Sequence, residues 1–258
     1  QLVDLKSTLK AARRADVIVA CLGEPAYCET PGNINDLTLS EVQLELVEAL
    51  SATNKPVILV LAEGRPRIIN RIEGMVDGII WAGLPGMEGG VALADILYGD
   101  ANPSGKLPFS YPQYPNSLIK YDHRISEASG DNEYNVQFPF GHGLSYTTFD
   151  YSDLQLSNTG ITTDGVLNID VTVTNNGDRA GKETILLYLR DVVASVTPPN
   201  RVLKRFTKVE LEPDESTTVS FQLTQADLEF IGRDNQPTVE DGEFVVMIDE
   251  LEKSFTLE

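Results

Sequence analysis

Ala15-Asp-Val-Ile-Val-Ala-Cys-Leu22 is a β-branched apolar run that stops at Gly23, the form a strand takes when it is buried inside a parallel sheet. Two further runs of the same kind follow, Lys55-Pro-Val-Ile-Leu-Val-Leu61 and Asp77-Gly-Ile-Ile-Trp-Ala82. Helical patterns fill the intervals. Ser40 precedes the first, with Gln43 at the spacing of a capping box. Val42, Leu46, Ala49 and Leu50 recur at the spacing of a buried stripe. Residues 89–97 predict another helix, stopped by Gly99. Strands alternating with helices predict an α/β three-layer sandwich around a mainly parallel sheet.

Outward from this half the pattern changes. Pro112, Pro115 and Pro139 punctuate a polar stretch, 126–135, without sustained periodicity. A connection of that length is expected to be functional or to wrap a neighbouring domain. Beyond Tyr151 the chain reads as all-β. Val166-Leu-Asn-Ile-Asp-Val-Thr-Val-Thr174 alternates with period two and runs into Asn175-Asn-Gly177, a hairpin signal. Further strands are predicted at 183–190, 201–211, 216–223 and 243–248. Roughly seven strands in about 110 residues predict an immunoglobulin/fibronectin III-like sandwich. The expected organisation is an α/β domain at 1–112, a linker at 113–142 and a fibronectin type III-like domain at 143–258.

The 258 residues carry 20 basic and 39 acidic side chains, a net charge of −19, which makes for a self-repelling surface. No basic stripe is present to bind a nucleic-acid backbone. No apolar run approaches the ~20 residues of a membrane span. Cys21 and Cys28 cannot build a disulfide framework, and with His123 and His142 they form no zinc-ligand spacing. No cofactor or metal is expected. The chain opens at Gln1 without an initiator Met and is read as a processed or partial product.

Open α/β sheets place their sites at the carboxyl ends of the strands. The loop after the first strand is the richest there: Gly23-Glu-Pro-Ala-Tyr-Cys-Glu-Thr-Pro-Gly-Asn-Ile-Asn-Asp36. It holds two carboxylates, Glu24 and Glu29, on a backbone shaped by glycine and proline, and can project an acid into a cleft. In an arbitrary loop such glutamates are simply solvated. Leu84-Pro-Gly-Met-Glu-Gly-Gly90 leads a strand into a helix, but its spacing matches neither a dinucleotide fingerprint nor a P-loop, and close strand–helix packing accounts for it. No GxSxG elbow occurs. Trp81 is expected in the core, and His142, between two glycines, in a local turn.

Taken in order, several motifs resemble glycoside hydrolase family 3, the β-glucosidase family. They are Gly23-Glu24, Tyr27-Cys-Glu-Thr-Pro-Gly32, Leu37-Thr-Leu-Ser40, Gly64-Arg-Pro66, Trp81-Ala-Gly-Leu-Pro-Gly-Met-Glu-Gly-Gly90, Tyr98-Gly-Asp-Ala-Asn-Pro-Ser-Gly-Lys-Leu-Pro108 and Phe138-Pro-Phe-Gly-His-Gly-Leu-Ser-Tyr-Thr-Thr-Phe149. The resemblance implies the last two parts of a protein that starts with a (β/α)8 barrel. The family's nucleophilic aspartate lies on that barrel in a Ser-Asp-Trp-like motif. The only Ser-Asp pair here is Ser152-Asp153, followed by Leu154, and the barrel's Lys-His motif is absent.

By the same resemblance Glu29 is the general acid/base, with Glu24 as the second choice. The implied activity is that of a retaining exo-acting β-glucosidase, incomplete as this chain alone. The barrel would come from another chain or a cleaved precursor, and the substrate would be a β-glucoside or β-linked oligosaccharide. A periplasmic or secreted location is the family's usual one. The other readings are a β-xylosidase part, a split enzyme, or a non-catalytic carbohydrate- or partner-binding module.

Overall fold

A strand buried on both faces needs hydrogen-bonding partners on both edges, and Val57–Ala62 (β2) has them. It is the middle strand of a parallel sheet, between Ile18–Gly23 (β1) and Gly78–Gly83 (β3). The computed structural model describes residues 4–128, 134–162 and 164–258. Val57, Leu59, Val60 and Leu61 of β2 are all buried, as their continuous apolar run requires. The sequence predicts the same for β1, and there the structure differs: Val19 is 45% exposed and Cys21 is exposed. Val19 and Cys21 alternate with the buried Ala20, so one face of β1 is open to solvent while the other packs inward.

Among the described residues three helices accompany this sheet: Leu5–Ala12 (α1), Glu41–Ser51 (α2) and Gly89–Tyr98 (α3). The Asp4 carboxylate caps α1 by accepting from the Ser7 N–H at 3.0 Å. On α2 the buried side chains are Leu44, Val47 and Leu50, whereas Val42 is exposed. The buried stripe is therefore turned from the predicted one, because the face of α2 in contact with β1 is set by tertiary packing. The predicted capping box is also absent. Ser40 makes no side-chain cap, and the Gln43 amide instead spans the end of β1, donating to Gly23 O at 3.0 Å and accepting from Gly23 N at 3.1 Å. Gly99 closes α3 with φ +82°, the left-handed cap expected of it. Tyr111–Pro112 (β4) and Val136–Phe138 (β5) form a short antiparallel ribbon, with the Tyr111 ring edge-on to Phe138 at 5.9 Å.

Two compact units divide the chain. One comprises Gln1–Ala101, Tyr111–Ile119 and Asn135–Phe138; the other comprises Asn102–Ser110, Lys120–Tyr134 and Pro139–Glu258. The polar 126–135 stretch falls partly outside the description, since 129–133 are not among the described residues.

The second unit is built mainly of strands, with the short helical turns Ile125–Ala128 and Gln225–Leu228 among its described residues. Its strands are Phe149–Leu156 (β6), Gly160–Ile161 (β7), Val166–Asn175 (β8), Gly181–Asp191 (β9), Val202–Leu211 (β10), Ser216–Thr224 (β11), Phe230–Ile231 (β12), Pro237–Thr238 (β13), Gly242–Ile248 (β14) and Leu251–Leu257 (β15). They build a five-stranded sheet in the order β10-β9-β14-β15-β7, a three-stranded sheet in the order β11-β8-β6 and a separate ribbon of β12 with β13. Leu167, Ile169, Val171 and Val173 of β8 are fully buried at alternate positions and pack with Ile185, Leu187, Phe244 and Phe255 of the other sheet. This is the predicted sandwich.

The Asn175-Asn-Gly177 turn is not a hairpin, because β8 and β9 lie in different sheets. It is a corner between layers, and its chemistry explains the asparagine. Asn175 is fully buried, and its Nδ2 donates to Arg179 O at 2.8 Å and Leu211 O at 3.0 Å. Its Oδ1 accepts from the Thr147 hydroxyl at 2.6 Å and from Gly177 N at 3.2 Å. A substitution that deletes the amide strands four partners, two of them in fully buried bonds. Asn175→Ala is expected to lower unfolding stability by about 2–4 kcal/mol, read as a shift in urea midpoint at unchanged slope.

Candidate active site

The carboxyl ends of β1 and β2 meet at a close approach. Gly23 has φ +148°, and a Cβ there would lie 1.9 Å from Ala62 O, so only glycine lets the chain leave β1 at this point. The next residue, Glu24, turns inward rather than out to solvent. Its side chain is 3% exposed and meets the segment following β2. Oε2 accepts from the backbone N–H groups of Gly64 at 3.2 Å and Arg65 at 3.1 Å. Oε1 accepts from Arg65 Nε at 2.9 Å, lies 2.7 Å from Arg65 Nη2, and lies 3.4 Å from Arg67 Nη1. Burial pushes the Glu24 carboxyl upward, but the hydrogen bonds and positive charge of Arg65, with Arg67 behind it, outweigh that and hold it below its ordinary value. Glu24 is an ionised, fully engaged acceptor.

The rest of the loop closes around Arg65. Its guanidinium carbon stands 3.9 Å from the centre of the Tyr27 ring, and its Nη1 donates to Gly32 O at 2.5 Å. Residues Thr30–Gly32 form a single 3₁₀ turn, tied by Gly32 N to Glu29 O at 2.9 Å. Arg67 Nη2 donates to Thr38 O at 2.8 Å, and Leu37 and Leu39 bond through their backbones to Ile68, which fixes the returning limb.

Glu29 sits at the head of that turn and differs from Glu24 in every respect. It is exposed, and no hydrogen bond or ion pair to its carboxylate occurs among the described residues. Its backbone has φ +46° and ψ −149°, a conformation that only glycine adopts freely. Holding a glutamate there costs about 1–3 kcal/mol, which persists only where the surroundings over-determine it. The geometry presents an unpaired carboxyl group on a constrained turn, able to give or take a proton. Cys28 beside it is an exposed free thiol. Trp81 is half-buried at the end of β3, and Asp153 lies in a bulge of β6, in the other unit.

A third carboxyl was not singled out by the sequence reading. Glu63, the first residue after β2, has no exposed surface. Its Oε1 accepts from Arg67 N at 3.1 Å and lies 2.8 Å from the Tyr111 hydroxyl, which is also 2.6 Å from Arg67 O. A phenol has one proton, shared here between Glu63 and the Arg67 carbonyl, so an ionised Glu63 receives only part of a hydrogen bond from Tyr111. Among the described residues Glu63 Oε2 has no partner, which also disfavours a charge. Burial, with the negative Glu24 nearby and despite the hydrogen bonds from Tyr111 and Arg67, pushes the Glu63 carboxyl up to about 7. The one available signal was its place at the end of the central strand.

With this geometry in place, relatives can be compared. The pattern of the glycosyl hydrolase family 3 C-terminal domain matches residues 3–146. The chain belongs to glycosyl hydrolase family 3. A fibronectin type III-like domain matches residues 183–251. A lysosomal beta glucosidase of Dictyostelium discoideum is 41% identical over 257 residues, covering 95% of this chain and 31% of its own length. A periplasmic beta-glucosidase of Salmonella typhimurium is 38% identical, covering 95% of this chain and 34% of its own. A beta-xylosidase of Formosa agariphila is 39% identical, covering 93% and 34%. The beta-glucosidase from Listeria innocua solved in complex with glucose superposes with a TM-score of 0.92 at 30% identity, over 100% of this chain and 38% of that one. This family 3 chain thus spans about a third of the length of the relatives it matches.

The Glu63 arrangement has a pH signature. A carboxyl raised from 4.5 to about 7 by folding contributes stability that is complete below about pH 4.5 and is lost as pH rises through about 7, a loss of about 3 kcal/mol. Urea titrations of wild type and Glu63→Gln should show the wild-type advantage shrinking over that interval. A difference between the two that is constant with pH would contradict it.

Proposed function

We propose that this family 3 chain is the acid/base-bearing part of a retaining exo-acting β-glucosidase, with Glu29 as general acid/base. The observation that carries the reading is the division of labour within one loop. Glu24 is buried, ionised and engaged by two arginines, so it has no proton to give. Glu29, in the Tyr27-Cys-Glu-Thr-Pro-Gly32 motif, is solvent-facing and held in a strained, defined backbone conformation. A retaining glycosidase needs two carboxyl groups about 5–5.5 Å apart, one as nucleophile and one as acid. Glu29 would protonate the glycosidic oxygen as an aspartate attacks the anomeric carbon, then take a proton from the water that releases the sugar.

That aspartate would come from a (β/α)8 barrel outside this chain. Support comes from the surface at the same end of the sheet. Leu84 is 77% exposed, Met87 100% and Val91 61%, and Leu84 and the Tyr27 hydroxyl flank Gly64 beneath the acid loop. Large apolar side chains left exposed within one short segment support a surface that another body covers. The substrate class is a terminal β-glucoside, in keeping with the names of two of the relatives. A periplasmic or secreted location is supported by the Salmonella relative's name, and among the described residues no helix is long and apolar enough to cross a membrane.

In the barrel-containing enzyme, Glu29→Gln should lower turnover of alkyl β-glucosides by roughly 10²–10⁴-fold. Activated aryl β-glucosides, whose leaving groups need little protonation, should be spared at the glycosylation step. Equal loss on both classes, or no loss, would overturn the assignment.

A further inference from the structure

We infer that Arg65 is a positioning residue for Glu29: one guanidinium gathers the start, the middle and the end of the loop that carries the acid. The inference rests on the reading of Glu29 as acid/base. Its basis is the distribution of the guanidinium's binding surfaces. Nε and Nη2 hold Glu24 at the loop's start, the flat face covers the Tyr27 ring in its middle, and Nη1 holds Gly32 O at its end. Glu29 lies between the last two contacts, and its own carbonyl accepts from Gly32 N. The Arg65–Gly32 contact therefore acts on the very turn that holds the carbonyl of Glu29.

Three features make this more than a stabilising ion pair. The strained backbone of Glu29 has to be imposed by its surroundings, and Arg65 is the side chain that reaches both Tyr27 and Gly32. Arg67, by contrast, touches Glu24 at 3.4 Å and Thr38 O at 2.8 Å, so it secures the loop's return rather than the acid's turn. The glycine before Arg65 also makes room for this packing, because a Cβ on Gly64 would stand 2.5 Å from the Tyr27 hydroxyl and the ring would have to shift. Lysine could keep the charge beside Glu24, but it has neither the fork for Glu24 and Gly32 nor the flat face for Tyr27.

The first test is hydrogen exchange on the 258-residue chain. The Gly32 and Asn33 amides, bonded to Glu29 O and Thr30 O, should exchange roughly tenfold or more faster in Arg65→Lys while the amides of β2 keep their wild-type rates. Tyr27→Leu, which leaves the Glu24 ion pair in place, should give the same local effect. Unchanged rates at Gly32 and Asn33, or an equal acceleration in β2, would overturn the inference.

The second test is kinetic, in the barrel-containing enzyme. Arg65→Lys should lower kcat/KM on alkyl glucosides by about 10- to 100-fold with activated aryl glucosides spared. In a Glu29→Gln background it should cost nothing further, whereas independent, additive losses would contradict action through Glu29. If Glu29→Gln itself spares alkyl glucosides, the acid/base reading fails. The exchange rates then still decide whether Arg65 holds the loop.

Discussion

Glu24 is a carboxylate almost without water, and the end of the parallel sheet is organised around satisfying it. An unpaired charge at that depth would cost several kcal/mol. Two backbone N–H groups and two guanidinium groups provide the compensation, and all four come from the four residues that follow Glu63. The loop leaving β1 is thereby fastened to the segment leaving β2. Once Arg65 is anchored by Glu24, its remaining donor and its flat face are fixed in place. They in turn set Tyr27 and the turn at Gly32.

The same few residues place three carboxyl groups in three different surroundings. Glu24 is charged because the arginines face it. Glu63, behind it and against Tyr111, lacks such donors and is favoured neutral, with Glu24's own charge adding to that preference. Glu29 stands outside the network, in solvent, on the turn the network holds. Structure and proposed chemistry meet in this partition: a site that must move a proton benefits when the neighbouring carboxyls are committed elsewhere. The fibronectin-like unit contributes none of these groups, and its side chains serve a well-packed sandwich core.

What the sequence made legible was local. Continuous apolar runs announced β2 and β3, period-two alternation announced β8, and a glycine announced the end of α3. Each of these signals depends on neighbours a few residues apart. The misreadings all involve partners that are distant in the chain. Gln43 looks like a capping-box residue because its true partner, Gly23, is 20 positions away. Asn175-Asn-Gly177 looks like a hairpin because nothing local says that the next strand joins the other sheet. The stripe on α2 is turned because its orientation is decided by β1.

The loop after β1 was legible only as a motif. Its carboxylates could be named, but nothing in their spacing tells Glu24, buried and paired, from Glu29, exposed on a strained turn. Arg65 appeared as part of Gly64-Arg-Pro66 without a role, since its contact with Glu24 spans 41 positions. Glu63 went unnoticed because burial of a lone glutamate after a strand leaves no trace in composition or period.

The central claim is that Glu24 is the ionised anchor of this arrangement, and the most direct test is to titrate it. Carbon-13 NMR of the Glu24 side-chain carboxyl, assigned by its loss in Glu24→Gln, gives its pKa in the folded chain. The account predicts a value below the ordinary glutamate range, about 4.3, rising toward or past that range when Arg65 is replaced by Lys. A wild-type value at or above it would mean that the arginines do not outweigh burial, and the anchor would have to be sought elsewhere.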